Sequence, residues 1–570
     1  VSSQKTINQE DIDRPASQRA AALVLTAAML TTFTAPAFAG TWYIEDGDIT
    51  ISAGESGNNV TQNENTTKND TDTIITNREE GASSHTVTID AKDKDDKVEV
   101  TLKDANIDTS KQSKAAVSVT GSGDTTIELD GDNELQGGDR HAGLEHNQTV
   151  DSEGNVTSGK LTIQDDNDNA GSLTATGGYF GAGIGGGSAK AGQVTITGGT
   201  ITAISGDGAG IGGGQGNMGS NAGNADIEIS GGTIEATGGY TSAGIGGGYY
   251  GDATIKITGD AVIKNATGGT FGAGIGGGGG GNGDVTISGN AKIENAQGGY
   301  AGSGIGGGYG ASGTVTIKDD STVTATGGEA GAGIGGGVGG LADVTIEGNA
   351  TVNAIGGVGS AGIGGGYDAE NDEDDGNGNQ ISIKSNESGA PTVNATGGES
   401  SIDKKTGEKI PGGAGIGSGA GDAKANITLE GKVTIVAKAG EGNAAIGDMN
   451  GEQVFTGLDG SITRYDSEGN DTTLPTDPGY PVPADTSSSG GGSAGASVQE
   501  SVFPGLVVTD KDGQRISYTS IRGNNVLSLR VGRFTASLHA SLSTLRQLRA
   551  EGIDTITFQT ILCSTTLSVD

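Results

Sequence analysis

Gly272-Ala-Gly-Ile-Gly-Gly-Gly278 is one copy of a glycine-rich phrase that recurs through the middle of the chain. Each copy centres on one isoleucine, and all but one of the steps between successive isoleucines are close to about thirty residues. A repeat of this length, held over so many copies, is the signature of a solenoid. The isoleucines are Ile184, Ile211, Ile245, Ile275, Ile305, Ile334, Ile363, Ile416 and Ile446.

One full repeat, residues 284–308, contains three short apolar pieces separated by Gly or Asn. They are Val285 with Ile287, Ala291 with Ile293, and Ile305 after its glycine. Three strands and three turns in about thirty residues fit one coil of a parallel β-helix. Counting degenerate copies of the phrase at Val117 and Leu144, we predict an all-β parallel β-helix (β-solenoid) of about eleven coils, roughly 50 Å long.

The glycines of the phrase are predicted to serve the scaffold. Glycine adopts positive φ in tight turns and lets neighbouring backbones approach closely. A phosphate-binding loop would need Lys and then Ser or Thr after the glycines, and no copy has them.

Composition changes divide the chain into four parts. Residues 1–39 resemble an export signal, with Arg14 and Arg19 before an apolar run and a small-residue cleavage site at Ala37-Phe38-Ala39. Residues 40–473 carry the β-helix, with a polar stretch after residue 55 expected to be a long loop. Residues 474–499 are a Pro-rich and then Ser/Gly-rich linker. Residues 500–570 predict a small α+β domain that we expect to continue beyond Asp570, with its helix over 541–550.

Charge and cysteine content limit the possible partners and compartment. The net charge of −38 argues against nucleic acid, because phosphates would be repelled. It also argues against direct contact with acidic lipids or glycans unless cations bridge them. The single cysteine, Cys563, allows no disulfide within the chain. We therefore expect a secreted or bacterial cell-surface protein with no membrane span in the mature chain.

Catalytic residue types are sparse in the regular repeats. The four histidines are His85, His141, His146 and His539, and no arginine lies between Arg140 and Arg464. A polysaccharide lyase on this fold would need a basic residue beside carboxylates, and a glycosidase would need two placed carboxylates. We assign no catalytic residue, and His141 and His146 are expected to be solvated loop residues.

Acidic insertions are the candidate metal sites. Calcium takes six to eight oxygen ligands, so closely spaced Asp and Asn side chains suit it. Solvated acidic loops are the alternative interpretation. The proposed calcium ligands are Asp165, Asp166, Asp168, Asp372, Asp374 and Asp375.

Aromatic residues are the sharper functional signal, because most of the 11 tyrosines lie just before or just after the glycine-rich phrase. Stacked coils would place such rings in an exposed column able to bind carbohydrate. A self-stacking ladder that only stabilises the rod is the alternative. The candidate carbohydrate-binding residues are Tyr179, Phe180, Tyr240, Tyr249, Tyr250, Phe271, Tyr300, Tyr309 and Tyr367.

Three motifs carry a resemblance to a known group of proteins. They are the segment that opens at Thr41-Trp-Tyr-Ile, the segment from Ala115 to Asn133, and the repeated phrase itself. With these, residues 41–450 resemble glycine-rich, signal-bearing β-helix proteins of gut Firmicutes known as carbohydrate-binding domain proteins. Residues 97–135 are more distantly similar to a clostridial β-helix family that binds acidic plant polysaccharide with calcium.

The sequence thus predicts an exported, non-catalytic β-helix that binds polysaccharide or a cell-surface glycan, with calcium as the candidate cofactor. Two alternatives stay open. One is a polysaccharide lyase or glycosidase on the same fold. The other is a structural adhesin stalk whose C-terminal domain attaches it to a surface.

Overall fold

A computed structural model describes most of the chain from residue 38 onward. The described ranges are 38–167, 169–216, 223–371, 378–403, 407–421, 423–448, 454–474, 476–479, 506–511, 514–516, 518–523, 526–531, 535–550, 552–560 and 564–569.

Three parallel ladders of strands, here named sheets A, B and C, are built by coils that stack on one another, and each regular coil contributes one strand to each ladder. Sheet A contains Ile49–Ala53, Val87–Ala91, Val117–Gly121, Leu144–His146, Ile184–Gly185, Ile211–Gly212, Ile245–Gly246, Ile275–Gly276, Ile305–Gly306, Ile334–Gly335, Ile363–Gly364, Ile416–Gly417 and Ile446–Gly447. Sheet B contains Phe38–Tyr43, Asn65–Thr76, Lys97–Lys103, the first half of Asp124–Gln136, Leu161–Gln164, Gly192–Ile196, Ala225–Ile229, Ala253–Ile257, Gly283–Ile287, Gly313–Ile317, Ala342–Glu347, Asn379–Lys384, Ala425–Gly431 and Val454–Leu458. Sheet C contains Asn106–Asp108, the second half of Asp124–Gln136, Gly171–Thr176, Thr200–Ile204, Thr233–Thr237, Val262–Thr267, Lys292–Gln297, Thr322–Thr326, Thr351–Ile355, Thr392–Thr396, Thr434–Lys438 and Ser461–Tyr465.

The core is a set of apolar stacks inside these ladders. In Gly283–Ile287, Val285 and Ile287 are buried while Asp284 faces solvent. Ile275 pairs with Ile305, and Ile305 pairs with Ile334, so each isoleucine of the repeated phrase lies on the next. Burying one such side chain contributes about 1.5–3 kcal/mol. The parallel β-helix prediction is therefore confirmed.

The number of coils was underestimated, because the solenoid has about 15 turns rather than eleven. Sheet A continues toward the N-terminus through Val87 and Ile49, which pair in register with Val117 and with each other. These two coils lack the glycine-rich phrase, so the spacing of that phrase did not reveal them. A β-strand needs only alternating burial, which both strands have.

An antiparallel hairpin closes the N-terminal end, where the sequence predicted a long loop. Asn58–Gln62 pairs with Ile49–Ala53 on one side and with Asn65–Thr76 on the other. Its polar side chains form hydrogen bonds within the protein. The buried Asn58 Nδ2 donates to Thr73 Oγ1 at 3.0 Å and to the Glu99 carbonyl at 2.7 Å. A 3₁₀ turn, Ile44–Asp46, joins the first strand to this cap.

Two further hairpin-like excursions leave the coils where the sequence has polar insertions. Val150 and Val156 form an antiparallel bridge. Ser401–Ile402 pairs with Lys409–Ile410.

The C-terminal part has its own small core. Its strands are Leu506–Thr509, Thr519–Gly523, Val526–Arg530, Ser537–Ala540, Thr555–Gln559 and Ser564–Ser568, and its helix is Leu542–Ala550. Val526–Arg530 is parallel to Thr555–Gln559, and the helix lies between them in sequence. Leu527, Leu548 and Ile556 belong to one buried cluster. The helix lies where the leucine spacing predicts one.

Candidate functional site

Glycine-rich turns precede and follow each short strand of sheet A. The turns stack from coil to coil into two columns, and hydrogen bonds join the two columns to each other. Within one coil, Ala243 N donates to Gly247 O at 2.9 Å, which draws together the chain on either side of Ile245. Between coils, Tyr309 N donates to Phe271 O at 2.8 Å, which joins a turn after one isoleucine to the turn before the preceding one. We call this surface the ledge. Its turns are 137–141, 177–181, 238–242, 268–272, 298–302 and 327–331 before the isoleucine, and 187–191, 248–251, 278–281, 308–311 and 337–340 after it.

Three rings on the ledge form a continuous line across coils. The ring centroids of Tyr240 and Phe271 are 5.5 Å apart in an edge-to-face arrangement. Those of Phe271 and Tyr309 are also 5.5 Å apart, with the planes tilted by 60°. Tyr240 is 60% exposed and Tyr309 is 50% exposed, so the line is open to solvent at both ends.

The remaining candidate aromatic residues lie on or beside the same surface. Tyr179 contacts Phe180 edge-to-face at 4.6 Å, and Tyr179 is 62% exposed. Tyr249 and Tyr250 are 4.1 Å apart, and the hydroxyl of Tyr249 donates to that of Tyr250 at 3.1 Å. Tyr300 is exposed, whereas Tyr367 is half-buried.

A cavity of about 560 Å³ opens at the N-terminal end of the ledge. It lies against Phe180, and the Arg140 guanidinium carbon is 5.5 Å from the centre of that ring. The described residues that line it are Arg140, His141, Glu145, Asn147, Phe180, Gly187, Ser188, Ala189, Lys190 and Gln215.

Glu145 organises the floor of this cavity. Its Oε2 lies 2.8 Å from His141 Nδ1 and accepts from Ala142 N at 3.2 Å, while Oε1 accepts from Asn147 Nδ2 at 3.0 Å. Asn147 Oδ1 in turn accepts from Gly187 N at 2.9 Å, which links the floor to the next coil. The carboxylate is thus held by several donors and its side chain is 9% exposed.

His141 and His146 have opposite environments. The hydrogen bond from His141 to Glu145 raises the pKa of His141 above its usual value. Burial lowers the pKa of His146, whose Nδ1 lies 2.7 Å from the Gln193 carbonyl oxygen. The expectation that both are solvated loop histidines does not describe their positions, because His146 is buried and His141 lines the cavity.

A smaller cavity of about 350 Å³ adjoins the first and shares His141 and Glu145 with it. Lys114 and Asp48 also line it, and Lys114 Nζ lies 3.3 Å from Asp48 Oδ2. The two cavities therefore form one groove along the sheet A side of the N-terminal coils.

Sequence reasoning missed this groove because its residues come from several coils. One signal was present: Arg140 and His141 lie in the turn stacked against the Tyr179–Phe180 turn, as Gly178 N bonding to His141 O shows. Aligning the degenerate coil at Leu144 with its neighbour would have placed both side chains beside Phe180.

The proposed calcium ligands are only partly within the described residues. Asp165 Oδ2 accepts from Gly171 N at 3.1 Å, and the Asp166 amide donates to Glu128 Oε1 at 2.9 Å. Asp168, Asp372, Asp374 and Asp375 lie outside the described residues. Across the ranges given above, no group of three or more His, Cys, Asp and Glu side chains is arranged to hold a metal.

Among the residues with described structure, none of the helices combines the length and apolar character needed to cross a bilayer.

Comparison with known proteins agrees with this architecture. A family model described as beta helix repeat matches residues 169–188, 194–215, 227–249, 315–338 and 344–367. Each matched segment contains a strand of sheet B or C and one copy of the glycine-rich phrase. No significant match was found among curated proteins or among solved structures. The chain is a parallel β-helix whose coils are similar to the beta helix repeat family.

Proposed function

We propose that this protein is an exported, non-catalytic β-helix that binds polysaccharide or a glycan-bearing surface along the ledge. The observation that carries the proposal is the line of rings Tyr240–Phe271–Tyr309, which is solvent-exposed and crosses successive coils. An extended polymer lying along the rod axis would contact each ring in turn. Tyr combines an apolar ring with a polar hydroxyl, which suits the mixed surface of a sugar.

The cavity supplies the polar part of the same surface. Arg140, Asn147 and Gln215 present guanidinium and amide groups beside the Phe180 ring. A few polar groups next to an aromatic wall are typical of small-ligand pockets, where they set orientation. A terminal or branching sugar residue would fit here while the rest of the chain follows the rings.

The same cavity argues for binding rather than catalysis. Among the described residues that line it, Glu145 is the one carboxylate, whereas glycoside hydrolysis uses two. Asp48, in the adjoining cavity, is paired with Lys114. Glu145 is largely buried and engaged by three donors, so it serves the floor of the cavity.

Export and calcium complete the proposal. Residues 1–39 would direct export to the medium or the cell surface. With a net charge of −38, the protein would need bridging cations to hold an acidic glycan, and the acidic insertions are where we place them.

A glycan array with neutral and acidic polysaccharides, run with millimolar calcium and with chelator, tests this proposal. The double variant Tyr240→Ala/Tyr309→Ala should lose at least about tenfold in affinity, equivalent to ~1.4 kcal/mol. Ile402→Ala is the control, since Ile402 is an exposed apolar side chain in the hairpin formed by Ser401–Ile402 and Lys409–Ile410, outside the ledge. Absence of binding to every polysaccharide with calcium present would refute the proposal.

An enzyme on the same fold is the second candidate, favoured by the presence of Arg140, Lys190 and His141 around one cavity. A lyase would release unsaturated sugars, an activity that Arg140→Ala should abolish. A glycosidase would release reducing sugars, an activity that Glu145→Gln should abolish. The adhesin stalk remains the structural alternative. Deleting residues 500–570 would release such a stalk from the cell surface.

A further inference from the structure

Asp70 is a buried carboxylate in the cap at the N-terminal end of the solenoid. It lies in the sheet B strand Asn65–Thr76 and its exposed fraction is 0%. Its Oδ1 accepts from Gly40 N at 2.8 Å and, more weakly, from Asp72 N at 3.4 Å. Its Oδ2 accepts from Trp42 Nε1 at 2.7 Å.

These partners are neutral N–H groups, and none of the ion pairs among the described residues includes Asp70. Burying a carboxylate is costly unless a cation or several strong donors compensate for lost hydration. The nearest donor on the main chain, Gly40 N, belongs to the residue that directly follows the cleavage site predicted from the sequence.

We propose that removal of residues 1–39 converts Gly40 N into the α-ammonium group that neutralises Asp70. Hydrolysis by a peptidase of the export machinery consumes one water, leaves a carboxylate on Ala39 and a protonated amine on Gly40. The amine is already 2.8 Å from Asp70 Oδ1, so an ordinary hydrogen bond becomes a charge-assisted one with no change in position.

Glycine at position 40 leaves room for the Asp70 and Trp42 side chains. A Cβ at this position would lie 2.5 Å from Asp70 Oδ2 and 2.5 Å from Trp42 Nε1. A larger first residue would therefore have to displace these two side chains.

Processing would therefore strengthen the cap. Gly40–Tyr43 remains paired with Thr73–Thr76 after cleavage, and the new ion pair fixes its first residue. The inference rests on the export proposed above and is independent of glycan binding.

The experiment uses the full chain produced in an exporting bacterium. N-terminal sequencing of the exported protein should show Gly40 first. The accessibility of the α-amine is then measured by its rate of acylation with an amine-reactive ester at neutral pH. The rate should be about tenfold lower in the native wild type than in native Asp70→Asn, because the ion pair with Asp70 sequesters the amine. Asp72→Asn, an exposed aspartate two residues further along the strand, is the matched control and should leave the rate unchanged.

Two results would overturn the inference: a mature chain that begins at another residue, or a wild-type amine that reacts as fast as in Asp70→Asn. Urea-unfolded wild type provides the rate of an unprotected amine, so a variant that fails to fold is recognised. Glycan binding measured on the same proteins separates this outcome from a failure of the proposed function, because Asp70 lies in the cap and away from the ledge.

Discussion

At the scale of single residues, close contact between coils requires glycine at the position after each stacked isoleucine. Gly306 has φ of +131°, and a Cβ there would lie 2.1 Å from Gly335 O of the next coil. Gly310, in the following turn, has φ of +71° and open space around it. These two glycines of one coil therefore carry different constraints.

Gly306→Ala should reduce the free energy of unfolding by at least about 3 kcal/mol, because strain and a backbone clash add together. Gly310→Ala should cost only roughly 1 kcal/mol, the price of a left-handed conformation in a residue with a side chain. Urea denaturation followed by circular dichroism measures both, and equal losses would contradict the role of coil contact.

His141 and His146 should titrate on opposite sides of the usual histidine pKa. Glu145 raises the pKa of His141, and burial lowers that of His146. The raised pKa means that the His141–Glu145 pair stabilises the fold fully below about pH 6.5, and that this contribution is lost as pH rises through the folded-state pKa. Proton NMR of the histidine rings, assigned with His141→Asn, checks the directions. Glu145→Gln should bring the His141 pKa back down, and an unchanged value would contradict the assignment.

At the scale of elements, the last coil is closed by a buried ion pair. Arg464 Nε donates to Asp477 Oδ2 at 2.7 Å and Nη2 donates to Oδ1 at 2.9 Å, with side chains 5% and 1% exposed. Asp477 Oδ2 also accepts from Leu474 N at 2.8 Å, so residues after Ser461–Tyr465 are held over the end of the core.

Asp477→Ala should destabilise the C-terminal coils by about 3–5 kcal/mol, because Arg464 would keep a buried charge without its partner. Hydrogen exchange should rise in Ser461–Tyr465 and Thr434–Lys438 and stay unchanged near Ile275. The exposed pair Lys292–Glu294 is the control, and breaking it with Glu294→Ala should cost less than about 1 kcal/mol. A uniform rise in exchange along the rod would contradict local closure.

At the scale of the whole molecule, each coil contacts mainly its neighbours, so the solenoid should tolerate removal of one period. Deleting residues 306–334 joins Ile305 to Gly335 and should preserve the strand content per residue and a cooperative thermal transition. Deleting residues 306–320 removes half a coil, including the sheet B strand Gly313–Ile317. The sheet C strand of that coil would then lie against sheet B, so this variant should lose the cooperative thermal transition. Circular dichroism during heating distinguishes the two.

Periodicity made much of this fold predictable. Because equivalent residues stack on one another, the spacing of Ile275, Ile305 and Ile334 already implies their register. Two of the extra coils, those through Ile49 and Val87, were not counted because their flanks lack the glycine-rich phrase. The polar strand Asn58–Gln62 was missed because its buried partners lie far along the chain, as in the contact of Asn58 with Glu99.

The candidate site was predictable only where it repeats. The aromatic residues recur beside the phrase, so sequence placed them on one face of the coil. The cavity is assembled from Arg140, Lys190 and Gln215, which belong to three successive coils. Each of these side chains belongs to a single coil and is not part of the repeated pattern. A side chain that appears in a single coil leaves no periodic signal.

The sequence by itself determined the coil, its isoleucine stack and the position of its aromatic turns, because one local pattern repeated at a constant interval dictates one geometry. Only the tertiary structure decided which turns meet across coils, how Glu145 and His141 share a cavity floor, and that Asp70 faces Gly40. Those contacts join residues that are distant in sequence, and the stacking of coils at about 4.8 Å is what brings them within hydrogen-bond reach.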